Sequence, residues 1–236
     1  MKATPHGPRL LAAALLVAAC GGGESVAPPA AARLSQVTGF GSNPGGLAMY
    51  LHASSDVGSG APLVVAMHGC MMRASDYVHA GWSALADERK FFVVYPETTA
   101  STGCFRWYAP ADSSRGAGQA LSIKQMVDYM LERHGVDPAR VFVTGLSAGG
   151  AMSVSMLAAY PELFAAGAPM AGVPYRCADS VYDSTYCMSP GRSRSAEEWG
   201  ALVRGAFPGY GGPYPRISVW HGTADKTVAP ANLAAV

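Results

Sequence analysis

The pentapeptide Gly145-Leu146-Ser147-Ala148-Gly149 holds the residues of this chain best suited to covalent chemistry. A serine hydroxyl is a weak nucleophile unless it stands on a tight turn, with a base and amide donors beside it. The run Arg140-Val141-Phe142-Val143-Thr144 ahead of it reads as a buried strand, and the small residues at 148–151 read as the start of a helix packed close to a sheet. Glycine two positions to either side of Ser147 removes side chains that would clash in such a strand-to-helix turn. The helix N-terminus would present amide hydrogens and the positive end of its dipole to negative charge developing on a carbonyl oxygen. Ser147 as a plain helix cap is the alternative, and the flanking strand and helix argue against it.

Two further segments have complementary chemistry. Pro62-Leu63-Val64-Val65-Ala66-Met67-His68-Gly69-Cys70 reads as a strand ending in a glycine turn, from which the backbone N–H of Cys70 would join that of Ala148 as a pair of oxyanion donors. His68 reads as a structural histidine at the strand end. Ile217-Ser218-Val219-Trp220-His221-Gly222-Thr223-Ala224-Asp225 reads as another strand followed by an acid, and Asp225 would accept the Nδ1–H of a histidine that takes the Ser147 proton. A turn aspartate ahead of a helix is the alternative for that residue. All six histidines, His6, His52, His68, His79, His134 and His221, precede Asp225, and His221 belongs to the same turn. In the order Ser, Asp, His the base would follow the acid, so the expectation is a C-terminally incomplete catalytic domain. A non-catalytic protein that binds an ester without cutting it is the competing expectation.

The elements that must position these groups alternate along the chain. Strands are predicted at 47–52, 63–68, 91–95, 141–144, 165–171 and 217–221, each an apolar run bounded by Gly, Pro or polar residues. The clearest helix is predicted at 119–134, where Ile123, Met126, Val127, Met130 and Leu131 form one stripe that Gly135 and Pro138 bring to an end. Further helices are predicted at 74–90, 148–160 and 196–207, the last opened by Ser195. This alternation predicts the α/β class, a mostly parallel sheet with helices on both faces.

Composition sets outer limits. In 236 residues, half hydrophobic and 14% charged, there is apolar material for one sizeable core, and a formal charge of +1 without charge runs gives no nucleic-acid footprint. Lys2 and Arg9 precede the apolar stretch 10–19, which is too short to span a bilayer and reads as a signal peptide over 1–19. Val17-Ala18-Ala19-Cys20 resembles a bacterial lipobox, in which Cys20 would be acylated and a lipid anchor would be the only membrane contact; ordinary cleavage near Ala19 is the alternative. Residues 20–38 read as a tether and 39–236 as the catalytic domain. Setting Cys20 aside leaves four of five cysteines, Cys70, Cys104, Cys177 and Cys187, with three possible disulfide pairings in an oxidising compartment.

The segments Phe40-Gly41-Ser42-Asn43-Pro44-Gly45, His68-Gly69-Cys70, Ser75-Asp76-Tyr77, Gly81-Trp82, Tyr95-Pro96-Glu97, Ser122-Ile123, 145–152 and His221-Gly222-Thr223-Ala224-Asp225 together resemble the polyhydroxybutyrate depolymerase family. That family is related to the feruloyl and acetylxylan esterases of carbohydrate esterase family 1. The resemblance implies an α/β-hydrolase fold and ester hydrolysis through an acyl-enzyme on Ser147, with no metal or organic cofactor. It implies a polyester or ester-decorated polymer as substrate and a histidine some tens of residues after the aspartate, while the signal peptide implies an extracellular or cell-envelope location. The resemblance also implies the pairs Cys70–Cys104 and Cys177–Cys187. The chain departs from the family at Met72, where Gln is frequent, and at Gln119, where an acid is usual. Met71 and Met72 could line a pocket for an aliphatic chain or fill gaps in the core. A short-chain polyhydroxyalkanoate depolymerase is the leading expectation, and a feruloyl or acetylxylan esterase the second.

Overall fold

The computed structural model describes residues 34–236. The predicted signal peptide, Cys20 and the first part of the predicted tether lie outside the described residues. Seven strands form one sheet in the order β1-β2-β4-β3-β5-β6-β7, comprising β1 (Ser35–Val37), β2 (Leu47–Ala53), β3 (Leu63–Met67), β4 (Phe92–Thr98), β5 (Val141–Leu146), β6 (Ala166–Met170) and β7 (Arg216–Ile217). β2 pairs antiparallel with β1 and β4, and every pairing from β4 to β7 is parallel. The sheet is therefore of the expected mostly parallel kind. All residues of β3 and β4 are buried, because each central strand is covered on both faces.

Side-chain alternation divides the core in two. Leu63, Val65 and Met67 of β3, Phe92 and Val94 of β4, and Val141 and Val143 of β5 face α4 (Gly118–His134) and α5 (Ala148–Ala159). Val64, Ala66, Val93, Tyr95 and Phe142 face the opposite side, toward α1 (Ala74–Tyr77) and α2 (Trp82–Arg89). The predicted stripe of α4 is the buried one, with Ile123, Met126, Val127 and Met130 fully enclosed and Leu131 packed at its margin. Each such side chain contributes roughly 1.5–3 kcal/mol on burial. The helix stops at Gly135, as predicted.

Several elements differ from expectation. Ser35–Val37 forms an edge strand inside the segment read as a tether, so the ordered domain begins before residue 39. Its side chains are mostly exposed, and it is held through backbone pairing with β2, a bond that leaves no hydrophobic pattern in the sequence. The helix predicted over 74–90 is two helices, since a 3₁₀ turn at Val78–Ala80 leads into Gly81 at φ 93°. The strand predicted at 217–221 is reduced to two residues, with a separate bridge from Trp220 to Met170. Two short helices, α3 (Pro110–Ser113) and α6 (Val181–Met188), lie where no helix was predicted. The final helix α7 (Ala196–Ala206) begins as expected at Ser195, whose hydroxyl accepts the Glu198 N–H while the Glu198 carboxylate accepts the Ser195 N–H.

Candidate active site

Ser147 sits at φ 54° and ψ −115°, between the end of β5 and the first residue of α5. A non-glycine residue there costs about 1–3 kcal/mol of backbone strain, which the packing on either side must hold in place. The Ser147 N–H donates to the Met170 carbonyl at 2.9 Å, and its carbonyl accepts the Ala151 N–H at 2.8 Å. Its hydroxyl makes no hydrogen bond among the described residues, and the residue is half-buried rather than packed away.

The neighbouring glycines are fixed by contact. A Cβ on Gly149 would lie 2.3 Å from the Met67 carbonyl oxygen and 2.6 Å from that of His68, while one on Gly145 would lie 2.4 Å from the Gly149 carbonyl carbon. All twelve residues of α5 are buried, so this helix cannot back away from the sheet. Gly149→Ala is therefore expected to destabilise the protein by about 3 kcal/mol, measured as a lowered urea midpoint at unchanged slope; a midpoint equal to the parent's would contradict the contact.

The turns that carry the Cys70 and Ala148 amides lie against each other. A Cβ on Gly69 would stand 3.6 Å from the Leu146 carbonyl oxygen and 3.8 Å from the Ser147 Cβ, which brings the turn after β3 against the turn after β5. Neither the Cys70 nor the Ala148 N–H has an acceptor among the described residues. Cys70 is bonded to Cys104, and the Met71 N–H donates to the Gly103 carbonyl at 3.0 Å, so the turn is tied both covalently and by backbone to the loop after β4. Cys177 is bonded to Cys187, so both implied pairings are present.

His68 is spoken for. Its Nδ1–H donates to the Gly69 carbonyl at 2.7 Å, its Nε2 accepts the Thr98 N–H at 3.4 Å, and its ring packs 4.7 Å from that of Phe105. Burial pushes its imidazole below the usual range, which keeps the neutral tautomer these two bonds require. His52, on the far strand β2, is held by Asp87 of α2. Gln119 is buried at the start of α4, where its Oε1 accepts the Arg106 N–H at 2.8 Å; an amide in this position braces the loop that carries Cys104.

Asp225 lies beyond the Met170–Trp220 bridge, on the edge of the sheet where the parallel strands β3, β5 and β6 also end. Its Oδ1 accepts the Val228 and Thr227 N–H groups at 3.0 and 2.9 Å. These backbone bonds, Val228 first, hold its carboxyl below the usual carboxylate range. Oδ2 has no close donor; His221 Nε2 is 3.6 Å away and donates instead to the Val228 carbonyl at 2.8 Å. His221 thus shapes the turn, as its sequence position implied. Among the described residues, no histidine is hydrogen-bonded to Ser147, and no three His, Cys, Asp or Glu side chains group as a metal site.

Residues 46–236 match the family described as Esterase PHB depolymerase. The chain belongs to this family. It is 54% identical over 202 residues to poly(3-hydroxyalkanoate) depolymerase C of Paucimonas lemoignei, an alignment covering 84% of this chain and 49% of that protein. It is 36% identical over 211 residues to feruloyl esterase B of Talaromyces funiculosus, covering 86% of this chain and 60% of that one. The chain thus spans about half to three fifths of these relatives. Among solved structures it resembles the acetyl xylan esterase of Aspergillus awamori with a TM-score of 0.80 at 34% identity, over 85% of this chain and 76% of the other. The fold is that of the α/β-hydrolase esterases.

Proposed function

We propose that this family member is a serine esterase that cleaves carboxylic esters through an acyl-enzyme, with short-chain polyhydroxyalkanoates as its polymer substrate. The observation that carries the reading is Ser147, held in a left-handed backbone with its hydroxyl unbonded, next to the unbonded amides of Cys70 and Ala148. The Ser147 Oγ attacks the ester carbonyl and gives its proton to a histidine. The two amides and the N-terminus of α5 stabilise the oxyanion. The alcohol leaves with that proton, and water then hydrolyses the acyl-enzyme. Asp225 Oδ2 is the acceptor for the histidine Nδ1–H, so the reading requires an imidazole within hydrogen-bond reach of Asp225 in the intact protein.

The polyester assignment is supported by the higher identity to the Paucimonas depolymerase than to the feruloyl esterase. Action on feruloyl or acetyl groups of xylan is the second reading, favoured by the likeness to the acetyl xylan esterase structure. The disulfides fit an extracellular or cell-envelope setting, with a lipid at Cys20 as the means of attachment. Release of 3-hydroxyacid from polyhydroxybutyrate granules by the intact protein, exceeding release of ferulate or acetate from xylan, is the expected result. Cleavage of the xylan esters alone would establish the second reading. Binding to granules without release of acid would show a non-catalytic protein.

A further inference from the structure

The turn that presents the Cys70 amide continues into one wall of a cleft. Met71, Met72 and Arg73 form that wall, and Thr98, Thr99 and the loop through Gly103 form the other, around a volume of about 290 Å³. The Met72 Sδ stands 3.3 Å from the point a Gly69 Cβ would occupy, and the Ser147 Cβ stands 3.8 Å from the same point. Met72 therefore flanks the nucleophile across the oxyanion turn. Met71 is 87% exposed, with its backbone at φ 62°. A Cβ on Gly103 would come within 3.0 Å of the Met71 Cα, the Met71 N–H donates to the Gly103 carbonyl, and the neighbouring Cys70–Cys104 bond ties the same two loops, so the two walls are held together.

Its side of the sheet identifies what it holds. The group that protonates the leaving alcohol must reach both Ser147 and Asp225, and Asp225 follows β7, two strands to one side of β5. The cleft lies between the ends of β3 and β4, on the other side of β5. With the alcohol arm directed toward Asp225 and the carbonyl oxygen on Cys70 and Ala148, the acyl arm extends along β3 and β4. We propose that the Met72 cleft is the acyl-chain subsite and selects short aliphatic acyl groups, with Met72 the specificity-determining residue. Thioethers along one wall suit a flexible chain of methylenes, while the Thr98 and Thr99 hydroxyls of the other wall are held by backbone groups at Ala100 and Gly46. This assignment rests on Ser147 and Asp225 acting as proposed above.

The test uses the intact protein with p-nitrophenyl acetate, butanoate and hexanoate, which share a leaving group and differ only in the acyl arm. Fluorophosphonate labelling of Ser147 is measured alongside. Met72→Gln replaces the thioether by an amide of similar length that holds on to water. The ratio of kcat/KM for hexanoate over acetate is expected to fall about tenfold. An unchanged ratio in a variant that labels normally overturns the assignment. Should Met72→Gln fail to label, Met72→Ala decides: a changed hexanoate-to-acetate ratio in a variant that labels supports the subsite and an unchanged one overturns it. Failure of the parent protein to label removes Ser147 as nucleophile, and the subsite falls with it, an outcome distinct from a labelled enzyme indifferent to acyl length.

Discussion

Ser147→Ala is expected to lower kcat/KM for every ester the intact protein cleaves by about 10⁵-fold or more, and to abolish fluorophosphonate labelling. Only the Cys70 and Ala148 amides and general binding would then support reaction. The backbone at Ser147 makes a companion variant informative. Alanine at φ 54° keeps the strain, whereas Ser147→Gly relieves it. The glycine variant should be equally inactive yet more stable by about 1 kcal/mol, read as a higher urea midpoint. A hydroxyl held proud at the expense of stability marks a residue kept for reaction. Retained turnover in either variant would eliminate the acyl-enzyme mechanism, and a less stable glycine variant would mean the turn is not strained.

Asp225→Asn is expected to reduce kcat by about 10⁴-fold with little loss of folding stability. The amide oxygen of asparagine can still accept the Thr227 and Val228 N–H groups, so the turn survives. What is lost is the negative charge on Oδ2, which in the proposed mechanism stabilises the imidazolium and selects its tautomer. Combining the substitution with Ser147→Ala should cost scarcely more than Ser147→Ala alone, because the two act as one unit. The pH profile separates the carboxylate from the histidine. Since the folded-state pKa of Asp225 is depressed, its ionised contribution is complete above the ordinary carboxylate range and disappears only as pH falls through its lower folded value. The acid limb of kcat/KM should therefore follow an imidazole and leave Asp225 ionised. An acid limb that shifts in Asp225→Glu in step with carboxylate titration would contradict this, and so would Asp225→Asn with near-parent activity.

Much of the fold was legible because burial on a sheet leaves a mark in the chain. Leu63-Val64-Val65-Ala66-Met67 and Phe92-Val93-Val94-Tyr95 are continuously apolar since they are covered on both faces, and α4 shows its buried stripe at helical spacing. β1 escaped notice because Ser35, Gln36 and Val37 contribute chiefly backbone bonds. The break at Gly81 was missed because apolar residues recur on both sides of it, while the chain reversal depends on one left-handed residue. β7 is short for a related reason: Ile217 of this outer strand and Trp220 beyond it are 45% and 64% exposed, so their hydrophobicity is not evidence of a long buried strand.

The candidate site divides in the same manner. The types and spacing of Gly145, Ser147, Ala148 and Gly149 declared a strand-to-helix turn, since only small residues tolerate its close contacts, and Asp225 was visible as an acid just past a strand. The family segments identified the kinship and implied both disulfides. Three-dimensional packing alone could decide that Gly69 lies against Ser147, that His68 spends both ring nitrogens on backbone groups, and that Gln119 braces the Cys104 loop. It alone could place Met72, which packs against the core cluster of Tyr77 and Tyr95, also in the wall of a cleft and against Gly69. The physical reason is range: hydrophobic periodicity and turn chemistry act between residues close in the chain, whereas each of these contacts joins segments that only the closed sheet brings together.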